Sequence, residues 1–263
     1  MRAVRPATPD DQALASLLGY QEDVDREADY ASMIRKAGEL WELRSNNAVF
    51  VRIRDVLFQM CIEGQCMYCE RSVANQLEHF RPKAFYPEGV FSWPNYLFIC
   101  NPCNIQKSNR FAVFSSDSGN RVDITRKRGE AIREPERGTP LLINPREEDP
   151  LDFLMIDLRG TGEFIPRAPA GTRDWIRAEY TATELLDLNS AAHRTARRNA
   201  YHNFTFALRE YVRARDEGRG IDTYVEVVKT SCHRGVWEAM KRDRGLIPEL
   251  LTLFDAAPEA LDW

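Results

Sequence analysis

Apolar positions in the first sixty residues recur at helical spacing. The Asp-Asp pair at 10–11 can cap a helix that runs to about Leu18, and a second helix is predicted over about 30–44. Between about 46 and 63, apolar residues lie three or four positions apart and form one stripe: Phe50, Ile53, Leu57 and Met60. Gly64 then favours the end of that helix. We expect the stripe to pack in the hydrophobic core.

The pattern changes twice further along the chain. Short apolar pieces at 76–80 and 96–99, separated by turn residues, suit strands. Residues 112–140 are predicted to be a loop-rich, charged connection, and 141–166 suits short strands or extended segments. Helical periodicity then returns, and helices are predicted over four ranges: 181–188, 190–217, 222–242 and 248–254.

These patterns predict an α+β fold that is mostly helical. A chain of 263 residues suffices for one large domain or two small ones. We divide it into four parts: a helical N-terminal part at 1–63, a small core at 64–111, a loop-rich connection with short strands at 112–171, and a helical C-terminal part at 172–263.

Composition narrows the class of protein. A hydrophobic content of 43% with 29% charged residues is ordinary for a globular chain and excludes a disordered or fibrous one. No run approaches the roughly 18 apolar residues of a membrane span, and the first residues lack the apolar core of a signal peptide. We therefore expect a cytoplasmic protein with no membrane partner. In a reducing compartment, cysteines ligate metals more often than they form disulfides.

Charge is distributed unevenly. The net charge of −4 excludes a polycation that coats nucleic acid indiscriminately. Yet residues 71–111 hold five basic and two acidic side chains, and residues 193–220 hold seven arginines and three acids. A basic surface for nucleic acid and a solvated helix face both explain such counts. For the helix at 190–217 we predict contacts with nucleic acid or a partner through these arginines: Arg194, Arg197, Arg198 and Arg209.

Four of the six cysteines form two C-x2-C pairs. Cys66 and Cys69 are separated by 30 residues from Cys100 and Cys103. Two such knuckles supply four thiolates to one tetrahedral zinc ion and leave no open position, so the predicted zinc is structural. Unliganded or catalytic cysteines are the alternative. The other two cysteines have no partner at this spacing and are interpreted as small buried hydrophobes: Cys61 and Cys232.

The segments EHFRPK, WPNYL and CNPCNIQKSNR lie around and between the knuckles. Taken together, they make residues 64–111 resemble an HNH endonuclease. That family has a ββα-metal nuclease centre, in which two C-x2-C knuckles often brace the hairpin and helix of the active site. The resemblance implies a zinc-braced nuclease centre between helical N- and C-terminal parts.

The resemblance assigns roles to individual residues. His79 matches the histidine that activates water, and an imidazole with an ordinary pKa near ~6.5 suits a base at neutral pH. Glu78 and Asn104 match the positions that bind the catalytic metal. Asn95 matches the asparagine that holds the loop and orients the histidine. Lys107, three residues after Asn104, is expected to reach a phosphate and joins the catalytic set.

Basic residues around this set are candidates for binding nucleic acid: Arg81, Lys83 and Arg110. The chain departs from the most frequent family pattern at two positions. Asn104 replaces a histidine, which favours Mg²⁺ or Mn²⁺ as the catalytic ion over a histidine-bound transition metal. Glu78 stands where aspartate is more frequent, and the extra methylene moves its carboxylate.

Further segments extend the resemblance to most of the chain: the run from Ile62 through CMYCE, LLINPREEDPLDFL and TATELLDLN. They resemble a bacterial HNH subgroup that includes the PtuB-like nuclease subunits of Septu and some retron anti-phage systems, which work with an ABC/SMC-like ATPase, PtuA. The resemblance implies a DNA endonuclease in phage defence. Two alternatives remain open: an RNA endonuclease, for example on tRNA, with the same site, and a zinc-stabilised binding or assembly module with an inert site.

Overall fold

The chain begins with three helices in the computed structural model, which describes residues 1–127 and 129–263 without the side chain of Asn46. Their bounds are α1 Asp11–Asp25, α2 Tyr30–Glu42 and α3 Ala48–Met60. Each helix starts at an N-cap side chain that accepts a backbone N–H: Asp10, Asp29 and Asn47. The predicted stripe on α3 is buried and confirmed. However, α1 continues past Leu18, and α3 ends before Gly64, which follows it in a short turn with φ +67°.

A strand–strand–helix unit follows the first helices. Strand β1 (Gln76–His79) pairs antiparallel with β2 (Tyr96–Ile99), with His79 opposite Tyr96. The helix α4 (Asn101–Lys107) begins directly after β2. Both predicted strands are confirmed, and Cys100 is the N-cap residue of α4.

A second sheet occupies a region that was predicted to be loops. Strands β3 (Phe111–Ser115), β4 (Arg121–Ile124) and β5 (Gly138–Pro140) form an antiparallel sheet in the order β4-β3-β5. The expectation of a loop-rich connection over 112–140 is wrong in this respect. β3 is buried throughout, whereas β4 exposes its charged residues and so resembles a loop in composition. Gly138 is required here, because a Cβ would lie 1.9 Å from the carbonyl oxygen of Phe114.

The rest of the chain is mostly helical. The elements in order are α5 Pro150–Phe153, the antiparallel pair β6 Leu154–Ile156 and β7 Phe164–Pro166, α6 Arg173–Glu179, α7 Ala191–Asp216, α8 Asp222–Thr230, α9 Arg234–Asp243 and α10 Pro248–Ala256. The predicted helix at 181–188 is instead a π-helical turn, Tyr180–Leu185, that continues α6. The single helix predicted over 222–242 is two helices, since His233 has the left-handed backbone angles φ 60° and ψ 45° and interrupts them.

One continuous apolar core connects the N-terminal helices, the strand pair and the C-terminal helices. Its largest fully buried side chains come from all of these parts, among them Phe50, Tyr96, Phe204 and Trp237. The predicted α+β fold dominated by helices is confirmed, while the proposed division into four parts stays a prediction. None of the described helices is both long and apolar enough to cross a membrane. Cys61 is half-buried, and Cys232 is exposed, so its expected burial is wrong.

Candidate functional site

The four knuckle cysteines meet at one end of the strand–strand–helix unit. The sulfur atoms of Cys66, Cys69, Cys100 and Cys103 all lie within 4.8 Å of one another, and all four residues are buried. A zinc ion with Zn–S bonds of about 2.3 Å at the centre of a tetrahedron places its sulfurs about 3.8 Å apart. The Sγ atoms of Cys69 and Cys100 are 3.7 Å apart. The cluster therefore fits a structural zinc site.

The backbone of the first knuckle explains this placement. The N–H of Cys66 donates to the carbonyl of Ser72 at 2.9 Å, and the N–H of Met67 donates to the carbonyl of Phe98 on β2 at 3.1 Å. Glu70 closes the turn with a φ of 54°. Burial raises the pKa of the Cys66 thiol. A divalent cation would stabilise the thiolate form in this buried position.

His79 lies at the other end of the unit, at the end of β1. Its Nε2 is 2.9 Å from the carbonyl oxygen of Val90, so we assign the proton to Nε2 and leave Nδ1 as the acceptor nitrogen. The ring is buried and packs on Trp41, with ring centroids 4.3 Å apart. Burial lowers the pKa of His79 to about 3, and nearby lysine and arginine charges act in the same direction. The imidazole is therefore neutral at neutral pH.

Asn95 ties the loop between β1 and β2 at both ends. Its Oδ1 accepts the N–H of Arg81 at 2.7 Å, and its Nδ2 donates to the carbonyl oxygens of Gly89 at 2.9 Å and Arg81 at 3.2 Å. Gly89 directly precedes Val90, whose carbonyl accepts the hydrogen bond from His79. Asn95 therefore fixes the segment that orients the imidazole.

Glu78 and Lys107 form a buried ion pair beside His79. The ammonium of Lys107 donates to Oε1 of Glu78 and, at 2.9 Å, to the carbonyl oxygen of His79. Lys107 is fully buried. Burial raises the pKa of Glu78, and the charge of Lys107 opposes that shift. The sequence suggested a phosphate contact for Lys107; here its ammonium contacts Glu78 and the end of β1.

An open cavity of about 340 Å³ borders these residues. Four residues singled out from the sequence line it: Glu78, His79, Lys83 and Asn104. Two further lining residues, Trp41 and Arg44, come from the N-terminal helices and were missed by the sequence interpretation. No local motif marks them, since they lie outside 64–111.

The other two basic candidates do not line this cavity. The guanidinium of Arg81 lies over the rings of Tyr86 and Phe111, 5.2 and 5.7 Å from their centroids. Arg110 donates to the carbonyl oxygen of Glu184 at 2.7 Å. Of the three residues that we expected at nucleic acid, only Lys83 lies at the cavity.

The arginines of α7 are mostly engaged within the protein. Arg197 is buried and donates to the carbonyl oxygens of Gly162 and Leu188 at 2.6 and 2.7 Å. The predicted contact of Arg197 with nucleic acid or a partner is therefore wrong. Two other arginines are paired with carboxylates: Arg194 with Glu163 and Arg209 with Glu249. Arg198 is exposed.

The fold and the site define a class: a helical α+β protein with a strand–strand–helix unit that carries a four-cysteine cluster at one end and an open polar cavity at the other. No family model matches the chain. The chain is similar to Septu protein PtuB from Bacillus mycoides (strain KBAB4), with 30% identity over 135 residues. This match covers 44% of the chain and 43% of the PtuB protein, so the chain spans about two fifths of the relative that it matches. The similarity and the cysteine cluster support a PtuB-like relation.

Proposed function

We propose that the protein is a metal-dependent endonuclease of the HNH type that hydrolyses phosphodiester bonds in DNA. The observation that carries this proposal is the arrangement of His79, a neutral imidazole whose Nε2 is bound to the Val90 carbonyl and which borders a cavity shared with Glu78 and Asn104. A base, a carboxylate and an amide at one cavity suit metal-assisted hydrolysis of a phosphate diester.

In this proposal His79 is the general base. With Nε2–H donated to Val90, Nδ1 is the nitrogen that accepts a proton from the attacking water. The proton moves to Nδ1 as the water oxygen bonds to phosphorus, and the bond from phosphorus to the leaving oxygen breaks. Burial lowers the pKa of His79 to about 3, so the ring is neutral at neutral pH, and the negative charge of a bound phosphate would raise that pKa toward the working pH.

Glu78 and Asn104 are the residues that would hold the catalytic cation. Mg²⁺ in proteins is commonly bound by one or two carboxylates together with water and substrate phosphates, and a carboxylate with an amide oxygen at an open cavity fits that pattern. A bound Mg²⁺ or Mn²⁺ would supply positive charge to the phosphate and the leaving oxygen. The Lys107 ammonium balances the Glu78 charge and orients its carboxylate. We assign Lys83, which lines the same cavity, to a substrate phosphate.

The biological setting is proposed from similarity alone. The related protein is named for the Septu system, and we propose that this chain acts in the same kind of anti-phage defence with an ABC/SMC-like ATPase, PtuA-like, as its partner. Co-expression of the chain with such an ATPase, followed by affinity purification and sizing, tests this partnership. If both proteins are folded and the chain still purifies without the ATPase, the partnership is contradicted.

The activity is tested by incubating the purified protein with double-stranded DNA, single-stranded DNA and RNA, each with Mg²⁺, Mn²⁺ or chelator. We expect metal-dependent cleavage of DNA. Cleavage of RNA only would move the substrate class to RNA. The matched control is His202→Ala, because His202 is an exposed histidine on α7 away from this cavity. Equal cleavage by the parent and His79→Ala, or none with any metal, would contradict the proposal.

A further inference from the structure

Part of the wall of the His79 cavity comes from outside the strand–strand–helix unit. Trp41 is the penultimate residue of α2, and Arg44 lies in the 3₁₀ turn Leu43–Asn46 that follows it. Both residues line the cavity together with His79 and Asn104. The N-terminal helices therefore contribute directly to the site, although the family resemblance begins at residue 64.

Trp41 holds both the histidine and the arginine. Its buried ring lies 4.3 Å from the ring of His79 and 5.4 Å from that of Phe50, measured between centroids. The guanidinium of Arg44 lies 4.9 Å from the centre of the same indole, a cation–π distance. Nη1 of Arg44 also donates to the carbonyl oxygen of Trp41 at 2.8 Å. These contacts fix the guanidinium close to the imidazole.

The charge of Arg44 is weakly neutralised. Among the described residues its ion pair is with Glu42, at 3.7 Å, and that carboxylate is 76% exposed. By contrast, Arg177 is held by both carboxylate oxygens of Glu148, at 2.7 and 2.6 Å. A guanidinium has five N–H donors, and one of those of Arg44 is committed to Trp41. The half-buried side chain therefore brings a positive charge and further N–H donors to the cavity.

We propose that Arg44, held against the ring of Trp41, binds a phosphate group of the nucleic-acid substrate in this cavity. This inference rests on the proposed nuclease function and assigns a substrate-binding residue to it. A planar guanidinium binds two phosphate oxygens at once and keeps its charge at any working pH. Arg44 and Lys83 then flank the imidazole with two positive charges, one from the 3₁₀ turn after α2 and one from the β1–β2 loop.

Binding and cleavage test this role separately. In the His79→Ala background, which is not expected to cleave, the Kd for a short DNA duplex is measured from 50 to 200 mM salt with and without Arg44→Ala. The slope of log K against log salt is negative, and loss of one phosphate contact makes it shallower by about 0.9. In the otherwise unchanged protein, we expect Arg44→Ala to lower kcat/KM by about 10- to 100-fold, and Arg44→Lys to recover part of that loss because it keeps the charge.

The matched control is Arg35→Ala. Arg35 is an exposed arginine of α2 that donates to the Ser32 hydroxyl and does not line the cavity. We expect the control to leave the salt slope and the rate unchanged. Zinc content and thermal melting are measured for every variant, so that a folding defect is recognised.

The outcomes distinguish this inference from the nuclease proposal. If the parent cleaves DNA and Arg44→Ala changes neither the salt slope nor kcat/KM, Arg44 is not a phosphate ligand, and the nuclease proposal stands. If the parent cleaves nothing but Arg44→Ala still makes the salt slope for DNA or RNA shallower, the cavity binds phosphate and the nuclease proposal fails. If the slopes agree and nothing is cleaved, both are overturned.

Discussion

The two ends of the strand–strand–helix unit differ in their donor atoms and in their access to solvent. We call them the sulfur end, which holds the four cysteines, and the cavity end, which holds His79. At one end four buried sulfurs face one another within 4.8 Å. At the other end a carboxylate, an amide and an imidazole line an open cavity. The seven-residue helix α4 serves both, since it carries Cys103 in its first turn and Asn104 and Lys107 after it.

In the proposed nuclease, this difference separates the bracing of the unit from its chemistry. Thiolates satisfy a tetrahedral zinc completely, so that end needs no further ligand and holds β2 and α4 to the first knuckle. The oxygen donors at the cavity leave positions for water and phosphate, which is what an ion that takes part in hydrolysis requires. A strand pair of four residues per strand has little stability of its own. We infer that the sulfur end keeps the cavity end in place.

The largest expected effect is at the sulfur end. Cys66→Ser should abolish zinc binding and folding, because structural zinc contributes on the order of 10 kcal/mol of folding free energy. Elemental analysis and the yield of folded protein measure this. Cys232→Ser is the matched control, since Cys232 is exposed and outside the cluster. Folded, zinc-free Cys66→Ser protein would show that the sulfur end is not a structural zinc site.

His79→Ala addresses the cavity end and leaves the four sulfur ligands in place. We expect a loss of two to four orders of magnitude in the cleavage rate, as for removal of a general base. Zinc content should stay at one ion per chain. Removal of a buried ring also lowers stability, so the assay is run well below the melting temperature of the variant. A variant that lost zinc together with activity would contradict the separation of the two ends.

A third test concerns acid stability beside the sulfur end. The backbone N–H of His233 donates to the side chain of Gln65, and the backbone N–H of Gly235 donates to the carboxylate of Glu70 at 3.1 Å. These contacts pack α9 on the first knuckle. Burial lowers the pKa of His233 to about 4. The neutral form therefore stabilises the fold fully above pH 6.5, and this contribution, about 3 kcal/mol, is lost as the pH falls toward 4.

His233→Asn removes this titration while suiting the left-handed backbone angles at that position. Between pH 7 and pH 4 its free energy of unfolding should fall less than that of the parent, as measured by urea titration at each pH. His202→Asn, at an exposed site, should follow the parent. If the variant has the same pH dependence as the parent, the titration of His233 does not cause the loss of stability in acid.

The smallest expected effect is on the cation at the cavity. Asn104→Ala should weaken Mn²⁺ binding at least about tenfold, because even the outer partners of metal ligands change affinity by 10- to 100-fold. Isothermal titration with Mn²⁺ on zinc-loaded protein measures this, and high Mn²⁺ should restore part of the cleavage rate. Asn109→Ala is the control, because Asn109 is an exposed residue that lines the same cavity. Equal Mn²⁺ affinity in both variants would remove Asn104 from the ligand set.

Local patterns were sufficient where neighbours in sequence interact. The stripe on α3 is buried because residues three and four apart share one helix face. The knuckle spacing predicted the four-cysteine cluster, since each C-x2-C turn directs two sulfurs to one point. The strands β1 and β2 were predicted because short apolar runs bounded by turn residues usually form strands.

Local patterns failed where distant residues decide the outcome. β4 has the composition of a charged loop and is a strand because it pairs with the buried β3. The apolar periodicity predicted one helix over 222–242, yet the chain breaks at 231–233 as His233 becomes buried against the first knuckle. The arginine count of α7 suggested a nucleic-acid surface, but it could not reveal that Arg197 is buried with backbone carbonyls as its partners.

By itself, the sequence determined the helices of the N-terminal part, the four sulfur ligands and the identity of the polar residues around His79. Only the tertiary structure decided which of those residues share one cavity: Lys83 lies there and Arg81 and Arg110 do not. It also brought Trp41 and Arg44 to the imidazole and turned Lys107 onto Glu78. The physical reason is that spacing along the chain fixes the directions of side chains within one turn or strand, whereas packing between elements fixes which charges and donors meet.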